Sequence, residues 1–179
     1  MLMNCLESLL DGVLNLVYPQ VCRICGLVIE ESRRGPICSV CWANIDAIKP
    51  PYCHVCGKPW DVPENFTERP EKICAECRKR KHRFSMNRSA GVYAGVLKEA
   101  IHALKFYGKS GLYAQLAELM IQCVKSGPCV LTSADVILPV PLHKRKLKDR
   151  GFNQSELLAR EISREFLVPL ETRLLVKTR

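Results

Sequence analysis

Eight cysteines between positions 22 and 77 fall into four Cys-x-x-Cys pairs, and no other feature of the chain restricts its fold as strongly. The first set is Cys22 and Cys25, then 12 residues, then Cys38 and Cys41. The second is Cys53 and Cys56, then 17 residues, then Cys74 and Cys77. Two residues between paired cysteines let one tight turn aim both sulfurs at a single ion, and the longer spacer is enough for a short hairpin that delivers the second pair. Zinc is the expected metal. Iron in the same sulfur shell is left open by ligand type, and a redox dithiol is a third reading, although that chemistry usually needs one pair in a βαβ setting. Sequential pairing within each set is favoured over cross-bracing because 11 residues separate the sets. Four thiolates close a zinc shell to water and substrate, so both ions are expected to be structural. His54, inside the second knuckle, reads as an exposed turn residue and not as a ligand.

The segment also needs metal. About sixty residues rich in proline, glycine and charge rarely draw more than about 3–5 kcal/mol from a core. A structural zinc contributes an apparent ~10–16 kcal/mol of binding that appears as folding. Cys5, Cys123 and Cys129 lie outside the pairs. With no export signal in view, a reducing, cytoplasmic compartment is expected, which favours metal over disulfides. Residues 1–18 carry Leu2, Leu6, Leu9 and Val13 at helical spacing, interrupted by Glu7 and Asp11. This run is too short to span a bilayer and reads as an amphipathic helix packing on the protein, with a membrane-surface or partner helix as the alternative.

The chain carries 27 basic and 18 acidic residues, a net charge of +9, which favours anionic partners. Residues 78–88 read RKRKHRFSMNR, with six Lys or Arg and no acid. A solvated linker is the plainer reading. Single-stranded nucleic acid is the sharper one, because basic side chains beside an aromatic such as Phe84 suit it. His82, Trp42 and Trp60 receive no role from the sequence. Beyond the hinge, a short strand is expected over residues 89–93, a helix over 96–106 broken by Gly108, and a second helix carrying Leu112, Leu116, Leu119, Met120 and Cys123, closed by Gly127 and Pro128. His102 reads as a partly buried or surface residue. Residues 135–139 and 168–176 are strand candidates, and a helix is expected from Ser155 with Leu157, Leu158, Ile162 and Phe166 inward. Between them lies the turn Pro139, Val140, Pro141, Leu142, then five basic residues over 144–150, read as a loop, and then a helix N-terminus. That order fits either an anion site or an ordinary solvated loop.

Three further segments carry a resemblance: AIHALK at 100–105, LPVPLH at 138–143, and RGFNQ at 150–154 followed by ELLA at 156–159. With the eight cysteines, they make the chain resemble the ComF family of competence-associated proteins, which join a double zinc ribbon to a type I phosphoribosyltransferase domain. The resemblance implies a small zinc-ribbon β module (residues 19–82, after the N-terminal helix at 1–18), a basic linker at 83–88, and an incomplete α/β phosphoribosyltransferase-like domain at 89–179. It implies that Pro139, Val140, Pro141 and Leu142 form the pyrophosphate-side loop. Lys144, Arg145 and Arg150 would contact phosphate, and Gly151, Asn153 and Gln154 would open the covering helix. The family substrate would be 5-phosphoribosyl-1-pyrophosphate (PRPP), and the partners single-stranded nucleic acid and proteins of the competence machinery. The family's two adjacent acids and Gly/Thr-rich turn are expected beyond Arg179, so residues 1–179 are expected to be inactive alone. Residues 27–32, LVIEES, imitate the apolar-then-acidic pattern, but they belong to the first cysteine spacer.

Overall fold

A computed structural model describes residues 19–29, 36–60, 72–106, 111–127 and 131–178. The expected helix at 1–18 and most of the two cysteine spacers lie outside these residues. Each ribbon opens with a knuckle held by one antiparallel bridge, Val21 to Val28 in the first and Tyr52 to Pro59 in the second. The backbone repeats between them. Cys22 N–H donates to Leu27 O at 2.7 Å and Gly26 N–H to Cys22 O at 2.9 Å; Cys53 to Lys58 O and Gly57 to Cys53 O match at 2.8 and 2.9 Å. The second cysteine pair of each set begins a short helix, α1 at Ser39–Ala43 and α2 at Ala75–Lys79. Cys38 and Cys74 occupy the N-cap positions in extended backbone.

The second half begins where residues 90–92 lie against the segment joining the ribbons. Val92 N–H donates to Asp46 O at 2.9 Å, and Ala47 and Gly91 form an antiparallel bridge. Four helices follow: α3 at Gly95–Phe106, α4 at Gly111–Ser126, α5 at Lys144–Arg150 and α6 at Gln154–Phe166. Helix α4 packs on both α3 and α6, and a Lys125–Glu165 ion pair joins α4 to α6. The three helices expected beyond the hinge are therefore present. Helix α3 buries Leu97, Ala100, Ala103 and Leu104, where the apolar spacing points to Val96, Ala100, Ile101 and Leu104, and α6 buries Gln154, Ala159 and Ile162.

One expected loop is corrected and three expected strands are reduced. The basic run 144–150 is a helix and not a loop. Lys, Arg and Leu are good helix formers, His143 Nδ1 accepts from Arg145 N–H at 3.3 Å as the N-cap, and Gly151 closes the helix in a left-handed conformation at φ 78°. Like charges are tolerated there because residues 144–149 all face solvent. The strand expected at 89–93 reduces to the bridge at Gly91. Those at 135–139 and 168–176 reduce to a single parallel bridge, Ile137 to Leu170, in which Ile137 N–H donates to Pro169 O and Glu171 N–H to Ile137 O. Among the described residues no larger sheet forms. None of the described helices is long and apolar enough to cross a membrane.

One hydrophobic core spans both halves. Cys22, Ile29, Ile37 and Cys41 of the first ribbon pack with Leu97, Ala100, Ala103, Leu104, Leu112 and Leu116 of α3 and α4. Among the described residues the second ribbon adds no buried residue to that core, although Tyr52, Cys53 and Cys74 are themselves buried.

Candidate functional site

The structure gathers the cysteines as two sequential sets. The sulfurs of Cys22, Cys25, Cys38 and Cys41 lie within 4.8 Å of one another, as do those of Cys53, Cys56, Cys74 and Cys77. All are free thiols. The Cys25–Cys38 and Cys56–Cys74 sulfur pairs are 3.8 Å apart, far beyond the ~2.05 Å of a disulfide. Four ligands placed tetrahedrally at ~2.3 Å from zinc have sulfurs about 3.8 Å apart, so the donor set and its spacing fit a zinc ion. Backbone amides reinforce the clusters: Cys38 N–H points at Cys22 Sγ at 3.4 Å and Cys74 N–H at Cys53 Sγ at 3.3 Å. Such donors favour the thiolate form.

The electrostatics agree. Burial opposes ionisation of Cys22, but the amides of Cys38, Cys25 and Ile24 outweigh it and bring the thiol down to about 6. Cys53 is lowered to about 6 against burial in the same way, by Cys74, Cys56 and Val55. Burial pushes the Cys41 and Cys77 thiols up, helped by neighbouring sulfurs, to about 12 each. Without metal, Cys22 and Cys53 therefore ionise readily while Cys41 and Cys77 hold their protons. Zinc must displace the remaining protons, so protons compete with it. Zinc affinity is therefore expected to fall as pH is lowered, because protons compete for the same sulfurs. Elemental analysis after dialysis against a fixed chelator at graded pH checks this; retention that does not change down to strong acid would contradict a thiolate shell.

The basic segment 78–88 is a strap closed onto the second cluster at both ends. Its start runs out of α2 beside Cys77. Its end is pinned by Asn87, whose N–H donates to Val55 O at 2.7 Å and whose Nδ2 donates to Cys56 O at 3.3 Å. Gly57 lets the strap approach: at φ 72°, a Cβ there would lie 2.8 Å from Asn87 O. Lys79, Arg80, Lys81 and Arg83 are exposed along it. The His82 ring stacks on Phe84 with centroids 4.7 Å apart and planes inclined by 26°, and Phe84 is 44% exposed. His82 Nε2 lies 3.3 Å from Cys77 Sγ. His54 is exposed, as expected of a turn residue.

The turn and helix residues of the second half also come together. Asn153 Nδ2 donates to Val140 O at 3.1 Å, tying α6 to the proline turn, and Asn153 Oδ1 caps the helix through Ser155 N–H. Arg150 Nη1 donates to Gln154 Oε1 at 3.1 Å, and its guanidinium lies over the Phe106 ring, 5.4 Å from the centroid. Gln154 is 8% exposed, and its Nε2 makes no hydrogen bond. Pro139 is buried, Pro141 and Leu142 are half-buried, and Val140 is exposed. Lys144 and Arg145 extend into solvent from the first turn of α5, and Gly151 ends that helix.

Residues 13–78 match the family model of the double zinc ribbon domain. The chain is 32% identical over 150 residues to the DNA utilization protein YhgH of Salmonella typhimurium, covering 83% of this chain and 62% of that protein. It is 28% identical over 141 residues to competence protein ComFC of Bacillus subtilis, covering 75% and 54% respectively. Against YhgH of Escherichia coli O157:H7 it is 30% identical over 166 residues, covering 92% of this chain and 69% of that protein. The chain belongs to the ComF family. No solved structure matches it.

Three features of this ComF-family chain were not readable from its motifs. His82 borders the second cluster, although a histidine five residues past a cysteine carries no pattern of its own. Tyr93 Oη lies 2.8 Å from His102 Nε2, a contact between a loop residue and the middle of α3. Gln154 is buried where a helix-opening glutamine would ordinarily be wet.

Proposed function

We propose that this ComF-family chain handles DNA during its uptake and utilisation, and that it grips single strands with the strap at 78–88 on the second of two zinc-stabilised ribbons. The names of its relatives, DNA utilization and competence proteins, supply the biological setting. The observation that carries the reading is the exposed Phe84 ring, backed by His82 and flanked by four solvent-facing cations. Stacked aromatics accept any base face while cations follow the phosphates. Zinc on Cys22, Cys25, Cys38 and Cys41, and on Cys53, Cys56, Cys74 and Cys77, would hold the ribbons. No position in a closed thiolate shell is free for catalysis.

The test is oligonucleotide binding as a function of salt. Affinity is expected to fall with salt at a slope of about 0.7 per phosphate neutralised, so replacing Lys79, Arg80 and Lys81 together with alanine should flatten the slope by about two. Phe84→Ala should instead weaken binding by about 1–3 kcal/mol with little change of slope. A slope unmoved by the triple variant returns the strap to a linker.

A second reading concerns the turn at 139–142 and the start of α6. The unpartnered, buried Nε2 of Gln154 favours it, because a buried donor left without an acceptor is costly and a bound anion would satisfy it. Arg150 beside it, with Lys144 and Arg145 nearby, would meet pyrophosphate or PRPP at the pyrophosphate side, with Asn153 holding the turn in register. Calorimetric titration with inorganic pyrophosphate is expected to show binding that Arg150→Ala and Gln154→Leu each weaken. No heat with the unmodified chain would remove this reading and leave the first intact.

A further inference from the structure

We infer that the second zinc ion clasps the single-strand surface, so that metal and strand bind this ribbon cooperatively, with His82 as the positioning residue that couples them. The inference rests on the single-strand reading above and adds a dependence that reading does not require. The strap is not a free tail beside a metal site. It leaves the cluster at the ligand Cys77 and returns at Asn87, which hydrogen-bonds to Val55 O and Cys56 O of the opposing knuckle. Both anchor points are thus one residue or less from a ligand, and the four sulfurs of that cluster are what bring them together.

His82 links the two functions by contact. One ring nitrogen lies 3.3 Å from Cys77 Sγ. A thiolate can only accept, so the nitrogen donates, fixing the ring and relieving charge on the sulfur. The same ring lies flat against Phe84. A base stacked on Phe84 would therefore restrain His82, and a restrained His82 would hold Cys77. Cys22 and Cys41 of the first cluster lie instead in the core shared with α3 and α4, and the strap closes on the other ribbon. Selectivity between the two ions is the distinguishing consequence. Linkage requires reciprocity, so whatever factor the strand adds to zinc affinity, zinc adds to strand affinity.

The experiment uses the zinc-loaded chain, an excess of chelator, a colorimetric zinc reporter and an oligothymidine strand. Alkylation of freed thiols with peptide mapping assigns each release phase to its cysteines. With saturating strand, zinc loss from Cys53, Cys56, Cys74 and Cys77 is expected to slow about tenfold, inside the roughly 5- to 150-fold range of coupled sites. Loss from the first cluster should be unchanged. His82→Ala should keep both ions bound and lose most of this protection, whereas Arg83→Ala should weaken the strand and keep the protection at saturation. A Cys74→Ser chain that has lost the second ion should bind the strand several-fold more weakly; if that variant fails to fold, the release kinetics of the unmodified chain decide. A strand that binds without altering release from the second cluster, or slows both clusters equally, overturns the clasp and leaves the single-strand reading standing. A zinc-loaded chain that binds no strand removes both.

Discussion

Cys22→Ser is expected to cost this protein one zinc ion and, with it, the packing of α3 and α4, two helices far along the chain. Cys22 is 2% exposed and stands among Ile29, Ile37, Leu97, Ala100 and Leu104, so the first cluster is part of the core and not an appendage to it. The apparent binding energy of a structural zinc, ~10–16 kcal/mol, exceeds the roughly 5–15 kcal/mol net stability of a whole domain. Losing that ion therefore frees the first ribbon. Ile29 and Ile37 then leave the surfaces of α3 and α4 that they cover, and apolar side chains become wet. Hydrogen exchange should show protection lost over residues 95–106 and 111–126, while elemental analysis reports one zinc remaining on the second cluster. Loss of both ions from this single change would instead indicate that the clusters support each other. Full protection of α3 with one ion gone would mean that the helices stand without the ribbon.

How much of this could be read beforehand divides along sequence distance. The ligand sets were legible because a Cys-x-x-Cys turn is a local object: its two residues, its backbone hydrogen bonds and its aimed sulfurs all sit within six positions. Helices α3, α4 and α6 were legible for the same reason, since their apolar spacing repeats within one element. Helix α5 was misread as a loop because five like charges in seven positions look like solvated coil. The His143 cap and the lack of any need to bury those side chains make a surface helix equally good. The strands at 135–139 and 168–176 were overcalled from apolar runs. A strand is defined by its neighbour, and Ile137 and Leu170 find each other at one bridge only. The strap was legible as charge, but not as a closed loop, because Asn87 meets Cys56 across 31 positions. The shared core was hidden for a related reason. Ile29 and Ile37 sit in the first cysteine spacer, and nothing local says that helices pack against them.

That shared core makes Leu112→Ala the second large effect. Leu112 is wholly buried in the second residue of α4, packed with the first ribbon and α3. Truncating a leucine in such a place removes its transfer energy and leaves a cavity, together about 2–5 kcal/mol. Leu167, 88% exposed just past α6, is the control: its alanine variant should fall within about 0.5 kcal/mol of the parent. The midpoint of denaturant unfolding measures both. The zinc sites should then respond unequally to Leu112→Ala. The first cluster borrows stability from the core, so its zinc should be lost to chelator faster. Among the described residues the second cluster shares no buried residue with that core, so its release rate should stay that of the parent. Faster loss from both sites would show that the core supports the two ribbons together. An unchanged rate at the first site, with global stability lowered, would show that the first ribbon opens to chelator without disturbing the helices it packs on.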